Sequence, residues 1–239
     1  MRMRRLCHAS VVLAISALSV NVAVGANFSF QGTFQFDDQL EIFKFVASSP
    51  SAIIQTLSYG SGIDAAGDAI PPGGFDPYLS LFDSTGGFLT AATPLLNTND
   101  NGTCPPLTTD NGNCFDSFLD TAAAPVTILT PGNTYFVVLS QSGNTPAGAD
   151  FGAGFTETGN PNFTAPNGCT NGIFCDFDTT NRNGSWEVDI LGVTSAVDTT
   201  IPEPGSGPLL ATAFAAALAL WGRRKAGYAR QVSQSRHGH

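Results

Sequence analysis

Asn27-Phe28-Ser29-Phe30-Gln31-Gly32-Thr33-Phe34-Gln35-Phe36 sets an aromatic ring at every second position, with Gly32 at the one beat that lacks it. A period of two is the mark of a strand with one buried face. Working outward, 40–46 continues the pattern around Phe43 and Phe45, and 52–59 reads as a third strand. The runs 78–82 and 134–139 are short, apolar and β-branched or aromatic, as buried strands are. Trp186, Val188 and Ile190 alternate with Glu187 and Asp189 in a last strand. No stretch of 27–200 carries a 3.6-residue period. Asn-Gly recurs at Asn101, Asn111, Asn167, Asn171 and Asn183, and this dipeptide enters tight reversals cheaply. Many short strands with frequent turns predict an all-β domain, a two-sheet sandwich of jelly-roll type. Residues 142–184, rich in Gly, Asn and Pro, are expected to form one long loop without strands.

Charge divides the 239 residues into three parts. The middle, 27–200, carries eighteen acids against Lys44 and Arg182, a net −16. Such a surface excludes a nucleic-acid partner, whose footprint is basic. The same stretch has no histidine: His8, His237 and His239 all lie in the ends. That removes histidine-based triads and histidine-held zinc from it. No Gly-x-Ser-x-Gly elbow occurs either, so the expectation is a protein that is not an enzyme. A glycoside hydrolase built on a pair of acids is the distant alternative.

The two ends read as addresses. Residues 1–26 form a secretory signal: Arg2, Arg4 and Arg5, then an apolar run from Val11, then small residues at Val24-Gly25-Ala26. Cys7 precedes that run, which does not suit lipidation. At the other end Pro202-Glu203-Pro204 lies in a linker spanning 198–208. An uncharged apolar segment, 209–221, follows, and Arg223-Arg224-Lys225 closes it. The segment is short of the ~20 residues of a comfortable membrane helix, and its basic cluster holds the far end on the cytoplasmic side. A polar tail, 226–239, comes last.

This ordered trio resembles the PEP-CTERM sorting signal of Gram-negative bacteria. The resemblance implies that an exosortase recognises the segment, transiently anchored in the inner membrane, and removes it. It also implies export to the cell surface or matrix, where exopolysaccharide is made. The tail beyond Lys225 departs from the pattern, since members usually stop at the basic cluster. The middle is similar, in the order of four elements, to the bacterial pre-peptidase C-terminal domain, a β-sandwich of secreted enzymes, and over most of 27–197 it resembles a group of PEP-CTERM proteins with the same ectodomain. The matching residues are Asp76-Pro77-Tyr78-Leu79-Ser80-Leu81-Phe82-Asp83, Asn99-Asp100-Asn101-Gly102, Asp116-Ser117-Phe118-Leu119 and Thr130-Pro131-Gly132-Asn133-Thr134-Tyr135. The resemblance implies a fold and a place, not a reaction: a structural or adhesive role beside exopolysaccharide, or a calcium-dependent carbohydrate-binding module.

Three sets of residues follow for testing. Cys104, Cys114, Cys169 and Cys175 allow three connectivities. The sequence-local one is expected, because Asn-Gly turns flank each pair and an exported domain meets oxidising conditions. Zinc is the rival use, disfavoured by wide spacing. Asp76, Asp83, Asp100 and Asp116 fall at loops or strand ends, and calcium, which takes 6–8 oxygens, would need them at one rim. The plain alternative is that these acids keep the domain soluble. Phe151, Phe155, Phe163, Phe174 and Phe177 in the long loop either pin it to the sandwich or line a binding surface.

Overall fold

The computed structural model describes residues 25–199 apart from 85 and 105. The signal segment before residue 25 lies outside the described residues. So do Pro202, Glu203, Pro204, the apolar segment and Arg223, Arg224 and Lys225. Ten strands follow in chain order: β1 (Ala26–Thr33), β2 (Glu41–Ala47), β3 (Ile53–Thr56), β4 (Gly62–Ile63), β5 (Ala69–Ile70), β6 (Pro77–Ser84), β7 (Leu95–Asn99), β8 (Phe118–Asp120), β9 (Thr134–Gln141) and β10 (Ser185–Asp198). All pairings among them are antiparallel. Among the described residues no helix is long and apolar enough to cross a membrane.

The fold is an all-β, near-barrel two-sheet sandwich. Its ladder runs β7-β6-β9-β2-β10-β3-β8, with β1 on β10. The last strand belongs to both layers. Its first half lies between β1 and β3, and its second half pairs with β2. It turns the corner at Gly192, whose φ of 74° a side chain would resist, and at a register break between Val193 and Ser195. Two shifts of phase let Ile190, Val193 and Ala196, each three residues apart, all face the core. Strands that change sheet through such bends make the corners of a sandwich. The seam between β7 and β8 is closed by side chains: Ser117 Oγ donates to Asn99 O, and Phe118 N donates to Asn99 Oδ1 at 2.7 Å.

The alternating aromatics of the opening segment fill the interior. Phe28, Phe30 and Phe34 pack on the core, and Phe36, past the end of β1, is 49% exposed. Ring contacts join Phe30 to Phe43, Phe43 to Trp186, Trp186 to Phe34, Phe34 to Phe75 and Phe75 to Phe174, at centroid separations of 5.1–6.1 Å. Gly32 pairs with Trp186, and a methyl added there would overlap the indole. The missing beat of the sequence is therefore where the largest core ring sits. Gly32→Ala is expected to destabilise the domain by about 1–3 kcal/mol through overpacking, seen as a lower urea midpoint with an unchanged m-value.

The long loop holds two short 3-10 turns, Phe151–Ala153 and Ala165–Asn167, and no strand. Its Phe155 and Phe174 are buried, and Phe151 meets Phe82 edge-on at 5.5 Å. These three pin the loop. Cys104 is bonded to Cys114, and Cys169 to Cys175. Between the first two, Asn111-Gly112 makes a two-residue reversal with positive φ at both positions and reciprocal backbone bonds between Asp110 and Asn113.

Candidate functional site

Gly73-Gly74-Phe75-Asp76 leads into β6. Phe75 is fully buried and fixes the turn, and Ser142 N donates to Asp76 O at 2.7 Å. Pro77 pairs with Gln141 across β6 and β9, which sets Asp76 and Gln141 side by side at one end of the sandwich. The long loop folds back over this end and supplies Phe163, Thr164, Asp176 and Phe177. A cleft of about 290 Å³ lies between them.

Each wall is held from outside the cleft. Asp37, on the turn after β1, accepts Phe174 N and Thr164 N, at 2.7 and 3.0 Å. The Cys169–Cys175 disulfide closes the loop wall, and Asn167 Nδ2 donates to Cys175 O at 2.9 Å. Asp176 accepts Tyr59 Oη–H at 2.7 Å and Arg182 Nε–H at 3.2 Å. Arg182 also bonds Asp110 at 2.5 Å and lies over the Tyr59 ring, 3.7 Å from its centroid. Burial is the largest influence on the Tyr59 hydroxyl and pushes it up, the Asp176 bond adding to this. Phe177 is 64% exposed and rests edge-on against Phe115, which rests on Tyr59. Phe163 is half-buried against Gly143. The two loop phenylalanines that do not pin the loop therefore flank the cleft.

The acids here repel one another. Burial, and then Asp100, Asp176 and Asp116, push the Asp76 carboxyl up to about 8, with Arg182 opposing. Asp76 Oδ1 and Gln141 Oε1 have no hydrogen-bond partner among the described residues.

Of the four aspartates considered for calcium, three come to this end and one does not. Asp76 and Asp83 lie at opposite ends of β6, about 23 Å apart along an extended chain. Asp83 sits instead beside Ser84, Phe88 and Pro94. Asp100 accepts Ser142 Oγ–H at 2.8 Å. Asp116 is fully buried and spent on two backbone N–H groups and a hydroxyl: Tyr59 N, Gly60 N and Thr56 Oγ1 all donate to it, at 2.7–3.0 Å. Burial pushes its carboxyl up, and those donors pull it down. It serves as the internal cap of the chain after β3. Among the described residues no three His, Cys, Asp or Glu side chains are grouped as they would be around a metal ion. The four aspartates are thus not gathered at one rim. Asp176 and Gln141 were not singled out by the sequence; both lie where no periodicity marks a facing side.

A second set of acids lies on the outer face of β10, under the β4–β5 hairpin. Asp189 accepts Ser29 Oγ–H, Gln55 Nε2–H and Ala65 N–H, at 2.5–3.0 Å. Asp64 accepts Gln31 Nε2–H at 3.0 Å and caps Ala66 N and Asp68 N. Glu187 is 1% exposed; burial, and then its neighbour Asp189, push its carboxyl up to about 10. It stays protonated at neutral pH and shares that proton with Asp189. The donors already on Asp189 make this pair part of the hairpin's seat, and Glu187 also borders a second cleft of about 320 Å³ with Gln31, Ile70 and Trp186. Glu41 at the other end is also pushed up, to about 8, by burial and then by a shared hydrogen bond with Asp198.

No protein-family model matches the chain, and no curated protein matches it in sequence.

Proposed function

We propose that the chain is an exported surface or extracellular-matrix protein whose sandwich binds polysaccharide through the cleft beside Asp76. The supporting observation is the pairing of an exposed ring, Phe177, and a half-buried one, Phe163, with unpartnered oxygens of Asp76 and Gln141. Sugars present an apolar C–H face and a rim of hydroxyl donors, and this arrangement answers both. The size of the cleft, at the small end of the ~300–1,000 Å³ common for ligands, suits one ring. The role in this reading is adhesive. The jelly-roll description of the sandwich belongs to this reading, as does its kinship with secreted pre-peptidase sandwiches.

The address is carried by sequence. Pro202-Glu203-Pro204, the segment 209–221 and Arg223-Arg224-Lys225 are the exosortase signal in this proposal, and the segment holds the precursor in the inner membrane before cleavage. One experiment tests both halves. Exopolysaccharide is recovered from a producing culture, washed, and the bound protein is read by mass spectrometry at both termini. The expected species begins near Asn27 and lacks the segment 209–221. Phe177→Ala is expected to be retained about tenfold less, the equivalent of ~1.4 kcal/mol. An intact C-terminus in the inner membrane refutes the sorting, and equal retention of the variant refutes the cleft.

A further inference from the structure

Among the described residues β1 pairs with β10 alone, so its other edge is open. Phe34 N donates to Gly184 O at 2.8 Å, which sets the phase of that ladder. The backbone groups of Phe28, Phe30 and Gly32 turn toward β10. Those of Asn27, Ser29, Gln31 and Thr33 turn the other way, and no loop or turn among the described residues bonds them. Asn27, Gln31 and Thr33 are exposed.

Proteins usually block such an edge with charge, proline, a bulge or a cover. β7 and β8 face each other across their seam, and side chains cap their N–H groups: Asn97 Oδ1 accepts Thr98 N at 2.8 Å, and Asn99 Oδ1 accepts Phe118 N at 2.7 Å. β4 and β5 are only two residues long. β1 runs for eight residues, Ala-Asn-Phe-Ser-Phe-Gln-Gly-Thr, with no charge and no proline. Its one register shift lies at the very start, between Ala26 and Asn27.

We infer that β1 is the contact of a symmetric dimer, in which it pairs antiparallel with β1 of a second copy. One register uses every outward group: Asn27 opposite Thr33 of the second copy, and Ser29 opposite Gln31, with the two-fold axis at Phe30. The edge thus complements itself. Charge favours the same occupant. The stretch 27–200 carries a net −16, so two copies repel over most of their surfaces, and an uncharged strand is where they approach at least cost. Salt screens that repulsion and strengthens the pairing. Pairing here does not depend on what the cleft beside Asp76 binds.

The test is sedimentation of the purified protein from about 5 to about 500 μM, with amide hydrogen exchange followed at both ends of that range. A shift from monomer to dimer mass is expected, and exchange at Ser29, Gln31 and Thr33 is expected to slow at least about threefold in the dimer. Raising the salt from about 0.02 to about 0.5 M is expected to favour the dimer. Gln31→Pro removes an N–H that turns away from β10, and is expected to weaken the dimer at least about tenfold. Gln31→Ala loses the same side chain but keeps the N–H, and is expected to dimerise as the unaltered protein does. The exchange measurement needs no variant to fold. Monomer mass throughout overturns the inference. So does a dimer that leaves those amides unprotected, that salt weakens, that Gln31→Pro does not weaken, or that Gln31→Ala weakens as much. Slow exchange at every concentration in a monomer overturns it too, by showing the edge covered by the chain itself.

Discussion

Asp37→Ala is expected to cost about 3–5 kcal/mol and to free the long loop from the sandwich. Asp37 is fully buried in the turn between β1 and β2. Its Oδ1 accepts Phe174 N, and its Oδ2 accepts both Thr164 N and Thr164 Oγ1–H. The Thr164 hydroxyl in turn accepts Cys175 N at 2.9 Å. Asp37 N donates to Pro161 O at 3.1 Å, so one residue makes four hydrogen bonds to the loop, at residues 161, 164 and 174. Alanine would leave two buried N–H groups without acceptors, and each costs about 1–3 kcal/mol. Asparagine retains one acceptor oxygen and is expected to recover part of the loss. The measurements are the urea midpoint and the rate of proteolytic cleavage within 142–184. An unchanged midpoint in Asp37→Ala would show that the loop is held by its apolar pins alone. The neighbouring Asp38 accepts only Gly159 N with its carboxylate, and its loss should be milder.

Strands announced by alternation or by a short apolar run were legible, as β6 and β9 show, and strands with neither were not. The opening phenylalanines, the Phe43-Phe45 pair and the Trp186-Val188-Ile190 series each face one core, so burial wrote a period into the sequence. β7 carries Asn97, Thr98 and Asn99 and resembles a loop of oxygen donors. It is a strand because its backbone pairs with β6, while its side chains stitch the seam to β8 and to Pro125. Polar side chains there do structural work that no periodicity records. The same holds for the aspartates. Nothing local separates Asp116, a cap for Tyr59 N and Gly60 N, from Asp76, which has no donor on Oδ1. Asp83 was grouped with Asp76 because both sit near turns, yet β6 runs its full length between them. The loop phenylalanines divide by register in a segment that has none: three reach the core and two remain at the cleft.

Glu187→Gln is expected to stabilise the domain at about pH 8 by up to ~3 kcal/mol, and to give no advantage near pH 4. The carboxyl is 1% exposed, and burial, then Asp189, then Asp64 and Asp116, push it from 4.5 up to about 10. The folded state therefore keeps a proton that the unfolded chain releases above about pH 4.5. With more protons bound in the folded form, stability falls as pH rises through that window, and the loss is complete only near pH 10. Glu41 and Asp76, each pushed up to about 8, act in the same direction. Gln31 and Gln55 donate to Asp64 and Asp189 rather than to Glu187, so no donor offsets its ionisation. Glutamine needs no proton: its amide N–H takes the place of the acid O–H toward Asp189, and the pH-dependent cost disappears. The comparison to make is urea midpoints of the two proteins from about pH 4 to pH 9. A difference that is constant across that range would show Glu187 to be ionised in the folded state, with a counter-ion or water beneath the hairpin doing what its proton is assigned to do. A difference that widens with pH places the proton on Glu187. A domain rich in acids then gains part of its hold on β4 and β5 from an acid that does not ionise.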